Sequence, residues 1–298
     1  DIAVLVVDGT VGLTGCDREL LDLFKEKNIP YLTVWNKGDL QENCPPPEDG
    51  VLVVSARTGA GVRELKERIA ALAPKEEAMP PLVRDLVGPG GLAVLVTPID
   101  SAAPKGRLIL PQQQTIRDLL DGGAGAVVTR ETELEQTLKR LARPPEVVIT
   151  DSQAFRQVAQ VVPQEVPLTS FSILMARHKG FLETAVKGVA AIERLCDGDT
   201  VLMAEGCTHH RQCGDIGTVK LPRWLREHTG RQLRFVTCSG ADFPEDLSPY
   251  ALVVHCGGCM LGAREVLSRM RCAGDQGVPI TNYGTCIAAM LGILPRAL

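Results

Sequence analysis

The chain has 298 residues, a formal net charge of −4 and a hydrophobic content of 45%, which together predict two or three globular domains. The acidic balance and the lack of a long basic run argue against nucleic acid or an anionic membrane as a partner. The longest apolar runs, such as GLAVLV and ALVV, are too short to cross a bilayer. Ten cysteines in a chain of this length indicate metal binding more than a small disulfide scaffold.

Apolar strands alternate with amphipathic helices from the start of the chain. In the first block, the predicted strands are 2–8, 30–36 and 51–55, and the predicted helices are 18–27 and 62–73. The polar segment 74–81 ends in a proline pair and predicts a linker.

Two further blocks follow the same pattern. The second has predicted strands at 92–99, 125–130 and 146–150 and helices at 114–123 and 132–142. The third has a helical apolar stripe over 181–195, strands at 200–205, 233–237, 251–255 and 279–281, and helices at 222–228, 262–271 and 286–294. Such alternation predicts parallel sheets covered on both faces, so the fold class is α/β. The predicted domains are 1–78, 79–172 and 173–298.

Two short motifs in the first block predict guanine recognition. NKGD (36–39) follows one predicted strand, and SART (55–58) follows the next. The Asp39 carboxylate can accept from both donors on the guanine edge, whereas adenine would leave it unpaired. Asn36 can bond the opposite edge of the base, the Lys37 stem can lie over the ring, and the N–H of Ala56 beside Ser55 can bond O6. The block resembles the second half of the GTPase domain of Era-like proteins.

The phosphate-binding half of such a domain is missing from the sequence. No G-x-x-x-x-G-K-[ST] loop occurs in the 298 residues, and IAVLVVD after Asp1 reads as an interior strand. The phosphate loop and its Mg²⁺ ligand supply much of the nucleotide affinity and the phosphoryl-transfer chemistry. We therefore expect an N-terminally truncated chain that neither hydrolyses GTP nor binds it tightly.

A divided cysteine and histidine motif follows two predicted strands of the third block. Cys207 and His209 come after the first of these strands, and His255, Cys256 and Cys259 come after the second. The carboxyl ends of parallel strands meet at one sheet edge, where open α/β sheets place ligands. Three thiolates can bind three irons of a [4Fe–4S] cluster. The motif therefore predicts a metal centre at this edge.

The fourth ligand of such a cluster is not fixed by the sequence. His209, His255, Asp215 or a water molecule can take that position, and Cys213 is a possible extra ligand. His210 is predicted to face solvent. A weakly held fourth ligand would leave one iron open to exchange, which suits the attachment of another metal unit.

Other interpretations of the cysteines stay open. A Cys₃His set is also a regular structural zinc site. A thioredoxin-type dithiol lacks its usual Trp-Cys context, and a Rieske centre would need C-x-x-H, whereas here the histidine precedes the cysteine pair. The cysteines predicted to be ordinary core residues are Cys196, Cys238, Cys272 and Cys286.

The C-x-H and H-C-x-x-C half-motifs, downstream of N-K-x-D and S-A, resemble the HydF family of [FeFe]-hydrogenase maturation factors. Further segments that resemble this family are AAPKGRLILPQQQTIRDLL, SFSILMARHKG, DIGTVKLPRWLR, DFPEDLS and PITNYG. The resemblance implies a GTPase domain, here partial, followed by an α/β dimerisation domain and a parallel-sheet α/β domain that carries a [4Fe–4S] cluster.

The resemblance also implies a function. The family acts as a cytoplasmic scaffold that carries a binuclear iron precursor and delivers it to apo-[FeFe]-hydrogenase, with the radical-SAM maturases HydE and HydG as further partners. It implies a homodimer or tetramer and GTP with Mg²⁺ in the intact protein. Cys207, Cys256 and Cys259 are implied as cluster ligands, and His209 and His255 as exchangeable or supporting groups.

Two other functions remain open beside the scaffold. One is an Era-like regulatory GTPase whose Cys/His site holds structural zinc, but the acidic balance gives no footprint for RNA. The other is a redox enzyme with an electron-transfer cluster, for which the sequence has no flavin or nicotinamide fingerprint.

Overall fold

The computed structural model describes residues 2–40, 51–72, 79–99, 106–206, 215–240 and 242–298. The chain divides into two compact units, residues 1–78 and 79–298. Both units have parallel sheets and helices, so the predicted α/β class is confirmed. Among the described helices, none combines the length and the apolar character needed to cross a bilayer.

The first unit has a three-stranded parallel sheet with helices on both faces. Its elements are β1 (Ala3–Asp8), α1 (Gly15–Glu26), β2 (Tyr31–Asn36), β3 (Leu52–Val53) and α2 (Val62–Leu72), with strand order β1-β2-β3. Apolar side chains of α1 pack on Leu5 and Val7, and those of α2 pack on Leu32 and Val34. α1 begins before the predicted residue 18 because Thr14 forms a capping box at its N-terminus.

The second unit begins with a four-stranded parallel sheet of order β5-β4-β6-β7. Its elements are α3 (Arg84–Val87), β4 (Leu92–Val96), α4 (Leu110–Asp121), β5 (Gly125–Thr129), α5 (Leu134–Arg140), β6 (Val147–Thr150), α6 (Phe155–Val161) and β7 (Leu168–Ser170). α4 starts earlier than predicted because Pro111 occupies its first turn, where a proline ring fits the helix. It stops at Gly122, as the glycine pair predicts.

A second four-stranded parallel sheet has the order β11-β10-β8-β9. The elements around it are α7 (Phe171–His178), α8 (Leu182–Gly188), β8 (Thr200–Glu205), α9 (Leu221–Thr229), β9 (Arg234–Ser239), β10 (Leu252–His255), α10 (Ala263–Asp275), β11 (Ile280–Asn282), α11 (Tyr283–Met290) and α12 (Leu294–Ala297). One hydrophobic cluster contains Val94 and Val148 of the sheet β5-β4-β6-β7 and Val201 and Val254 of the sheet β11-β10-β8-β9. The two sheets of this unit therefore share a core.

The segment between the two sheets differs most from the sequence-based expectation. The apolar stripe over 181–195 predicts one helix, but α8 ends at Gly188 and a 3₁₀ helix continues over Val189–Arg194. α7, which the sequence pattern did not predict, contains residue 172, the end of the predicted second domain. The domain limits 1–78, 79–172 and 173–298 stay a prediction.

Candidate functional site

The H-C-x-x-C half-motif lies at the carboxyl edge of the second sheet in the larger unit. β8 and β10 are parallel neighbours, with His255 opposite Ala204 in the register. The N–H of Cys256 continues this pairing, since it donates to the carbonyl of Ala204 at 2.8 Å. The chain segments that leave β8 and β10 therefore start side by side.

Two backbone donors converge on the sulfur of Cys256. The N–H of Gly206 is 3.0 Å from Sγ, and the N–H of Gly258 is 3.3 Å from it. Hydrogen bonds to sulfur favour the thiolate, which is the form that binds metal. Gly258 has a φ of +62°, and a Cβ there would lie 3.1 Å from Val266 Cγ2, so this donor position requires glycine. Cys259, the last residue of the half-motif, is half-buried.

The other half-motif falls outside the described residues, which include neither Cys207 nor His209. Gly206, whose N–H reaches Cys256 Sγ, directly precedes Cys207 in the sequence. Within the ranges that the structure describes, no three His, Cys, Asp or Glu side chains are placed to bind a metal ion. The three-cysteine ligand set stays a prediction, of which the structure describes Cys256 and Cys259.

His255 is fully buried, and both of its ring nitrogens are hydrogen-bonded. The guanidinium of Arg269 lies 3.3 Å from Nε2 and can only donate, so Nε2 accepts and the proton is on Nδ1. Nδ1 then donates to the carbonyl of Cys256 at 2.7 Å. Burial lowers the pKa of His255 to about 4, and the charge of Arg269 adds to this decrease. In this arrangement His255 fixes the Cys256 backbone, and both of its ring nitrogens are bonded to protein groups.

Arg269 connects this histidine to the rest of the domain. It is 3% exposed, and it donates to Gly240 O at 2.6 Å and to Glu265 Oε1 at 2.8 Å. Arg269→Met is expected to lower the free energy of unfolding by about 2 kcal/mol, because it leaves the buried His255 Nε2 and the part-buried Gly240 O without this donor. Urea denaturation of the full chain measures the change. The control Arg271→Met replaces an exposed arginine of the same helix, and equal effects of both variants would contradict the assigned role.

The predicted guanine-reading residues come together beyond the carboxyl ends of β2 and β3. Asn36 Oδ1 accepts the N–H of Ala56 at 2.9 Å. Ser55 Oγ donates to Asp39 Oδ1 at 2.6 Å, and this bond is the main cause of the lowered pKa of Asp39. The second carboxylate oxygen of Asp39 lies 3.8 Å from Arg57, whose side chain is largely exposed. An oriented, ionised carboxylate at this position fits the two donors of a guanine edge.

Lys37 links the same motif to the first strand. Its Nζ donates to Asp8 Oδ2 at 2.6 Å. That bond, together with hydrogen bonds from Thr10, lowers the pKa of Asp8 to about 2. Lys37 has a φ of +65°, which only a few non-glycine residues adopt. The loop is therefore held in a specific conformation by a contact between the ends of β1 and β2.

Comparison with known protein families matches most of the larger unit. The hydrogen maturase F dimerization domain matches residues 82–180, and the hydrogen maturase F tetramerization domain matches residues 183–298. The chain belongs to the hydrogen maturase F (HydF) family. The family resemblance read from the cysteine motif is thereby confirmed, and membership in HydF supports a role in hydrogenase maturation and self-association.

Characterised GTPases resemble a smaller part of this HydF-family chain. It is 38% identical over 74 residues to the tRNA modification GTPase MnmE of Fervidobacterium nodosum, across 23% of the chain and 15% of that protein. It is 33% identical over 87 residues to GTPase Der of Synechococcus, across 24% of the chain and 18% of that protein. It is 33% identical over 85 residues to GTPase Der of Geotalea daltonii, across 26% of the chain and 19% of that protein. The chain thus spans less than a fifth of each relative, and the matched part fits a partial GTPase domain.

The candidate ligand Asp215 of this HydF-family chain serves as a helix cap. Its Oδ2 accepts from Gly217 N at 3.0 Å, from Thr218 N at 2.9 Å and from Thr218 Oγ1 at 3.0 Å. These bonds start the π-helical turn Ile216–Lys220. Cys213, the possible extra ligand, and His210, which is predicted to face solvent, lie outside the described residues.

Sequence reasoning missed a buried tyrosine near the loop 256–259. The Tyr283 hydroxyl is buried and has no hydrogen-bond partner among the described residues. A Cβ on Gly217 would lie 2.2 Å from this hydroxyl and 2.6 Å from Glu205 Oε1, so the two side chains meet against that glycine. Burial raises the pKa of Tyr283 well above its ordinary value. The PITNYG segment contains this residue, but only the folded packing brings it close to Gly217 and Glu205.

The cysteines that the sequence assigned to the core of this HydF-family chain divide into three groups. Cys238 and Cys286 are buried, as predicted, and burial raises the pKa of Cys286 to about 12. Cys272 is half-buried. The prediction for Cys196 is wrong, because this residue is exposed after the 3₁₀ helix, with its sulfur 3.6 Å from the carbonyl of Arg194.

Proposed function

We propose that this chain is a metallocluster scaffold of [FeFe]-hydrogenase maturation, which holds a [4Fe–4S] cluster and carries a binuclear iron precursor to apo-hydrogenase. The observation that carries the proposal is the convergence of the Gly206 and Gly258 N–H groups on Cys256 Sγ. Gly206, the residue that precedes Cys207 in the sequence, therefore contacts the sulfur of Cys256. Membership in the HydF family supports the same conclusion.

The residues proposed to hold the cluster are Cys207, Cys256 and Cys259. His209, Asp215 or water is proposed for the fourth iron, and His255 is proposed to orient Cys256 through its carbonyl. A cluster with three thiolate ligands and one weak ligand supplies an exchangeable iron to which a second metal unit can bind. The protein itself provides N–H donors to sulfur and a buried surrounding, the features that stabilise such a site.

The proposed partners follow from the cargo. HydE and HydG are proposed to build the binuclear iron unit before the chain transfers it to the apo-hydrogenase, and self-association is proposed to give a homodimer or a tetramer. Oxygen-sensitive iron chemistry of this kind requires a reducing compartment, so a cytoplasmic location is proposed. GTP with Mg²⁺ is proposed to act in the intact family protein, where it would modulate partner exchange.

Anaerobic reconstitution tests the proposed function. Incubation of the full chain with iron and sulfide is expected to give a brown protein with about four irons per chain and a cubane-type EPR signal after reduction. Imidazole or cyanide is expected to change that signal if one iron is exchangeable. A colourless protein that holds one zinc per chain would contradict the proposal and favour an Era-like GTPase with a structural zinc site.

Nucleotide binding by this chain is expected to be weak. Asn36, Asp39 and Ala56 are proposed to read the base, but the sequence has no phosphate loop to bind the charged end of the nucleotide. Titration of the full chain with a fluorescent GTP analogue is therefore expected to show no micromolar affinity, with no hydrolysis of GTP above background. A dissociation constant in the micromolar range or below would contradict this expectation.

A further inference from the structure

Lys179 is a buried lysine next to residues 256–261, which are called the cluster loop below. It is the residue that follows α7 and caps its C-terminus, and it is 8% exposed. Lysine is almost never buried to this degree unless its charge is paired. Burial lowers the pKa of Lys179, and the negative charges of Cys259 and Cys256 oppose that decrease. The side chain is therefore enclosed beside the two described sulfurs.

The ammonium group of Lys179 holds both ends of the turn that carries Cys259. Nζ donates to the carbonyl of Gly258 and, at 2.7 Å, to the carbonyl of Leu261. The N–H of Leu261 also bonds Gly258 O, at 2.9 Å, which closes a β-turn with Cys259 at its first central position. Because Gly258 N–H donates to Cys256 Sγ, one lysine supports the backbone of both cysteines.

The end of α7 is itself anchored, so that Lys179 starts from a fixed point. Arg177 donates to Asp85 Oδ1 at 3.0 Å and to Pro81 O at 3.1 Å. His178 Nδ1 donates to Pro80 O at 2.7 Å. Lys179 thus follows two residues that bind the segment 80–85, and its side chain reaches across to a loop 79 residues further along the chain.

We propose that Lys179 is a positioning residue for the cluster loop, contributed by the part of the chain that matches the dimerization domain. Its ammonium fixes the turn from Gly258 to Leu261 and balances the negative charge of the thiolates. The inference rests on the proposed function, in which Cys256 and Cys259 bind the cluster. A fixed positive charge favours the more negative, reduced form of an iron–sulfur cluster.

The test compares Lys179→Met with the control Lys187→Met, which removes an exposed lysine of α8. Both full-length variants are reconstituted with iron and sulfide, and their folding is checked by circular dichroism. Lys179→Met is expected to release iron to a chelator about tenfold faster than the control. Its reduction equilibrium constant is expected to fall about tenfold, a shift of about 59 mV to lower potential.

Lys179→Arg keeps the charge and the donors, and it is expected to restore most of the potential. If Lys179→Met does not fold, Lys179→Gln replaces it, since the amide keeps a donor and removes only the charge. The inference is overturned if the wild-type chain binds the cluster but the Lys179 variants match Lys187→Met in release rate and potential, or if arginine behaves like methionine. A wild-type chain that takes up no cluster overturns the proposed function and, with it, this inference.

Discussion

Cys256→Ser is expected to reduce the iron bound after reconstitution to less than about a tenth of the wild-type amount. The Cys256 sulfur accepts N–H groups from both Gly206 and Gly258, so it lies beside the residue that precedes Cys207 in the sequence. A serine hydroxyl is a harder and far less acidic ligand than a thiol, and it binds the iron of a cluster much less well than a thiolate does. Iron and sulfide analysis, together with the EPR signal of the reduced protein, measures the loss.

Cys272→Ser is the matched control for this variant. Cys272 is also half-buried and lies in the same domain, but its sulfur contacts Glu245 O at 3.6 Å and Gln276 Nε2 at 3.2 Å. It is near the end of α10, about 14 Å along the helix from Ala263. Its substitution is expected to leave the iron content unchanged. Loss of iron in Cys272→Ser, or retention in Cys256→Ser, would show that the ligand assignment is wrong.

All the described strands except β7 (Leu168–Ser170) were predictable, because most are continuous apolar runs in parallel sheets. β4 and β10, for example, were found from their sequence within a few residues. α7 was missed for a related reason. Phe171, Leu174 and Met175 pack in one core cluster, Ile173 in a second and Ala176 in a third. A helix buried on all sides has no polar face, so its sequence lacks the amphipathic period that marks a surface helix.

The site was predictable to the extent that its chemistry is local in sequence. The spacing of His255, Cys256 and Cys259 marked the loop, since metal ligands cluster within a few residues. Lys179 and Arg269 were not found, because their roles come only from tertiary contacts. Lys179 meets the loop from a distance of 79 residues, and Arg269 looks like a surface charge until α10 is packed over His255. Supporting residues of this kind have no sequence signature.

Gly188→Ala is expected to be the most destabilising glycine-to-alanine change among the described residues of the second unit. An ideal Cβ at this position would lie 2.0 Å from the carbonyl oxygen of Ile280 and 2.5 Å from its carbon. Both atoms belong to the backbone of β11, which pairs with β10 at Val253 and has little freedom to move. Overlap with a fixed backbone is expected to cost about 3 kcal/mol or more. For a unit of this size the melting temperature should fall by roughly 10 °C.

Gly274→Ala separates this clash from the general effect of alanine in a helix. Gly274 lies in α10, and a Cβ there would meet nothing within 4 Å. Alanine is favoured over glycine in helices by up to about 1 kcal/mol, so this variant is expected to be as stable as the wild type or slightly more. Calorimetry of both full-length variants makes the comparison. Equal melting temperatures would mean that α8 and β11 are not in the close contact described. β11, which pairs with the strand that ends at His255, would then be supported in another way.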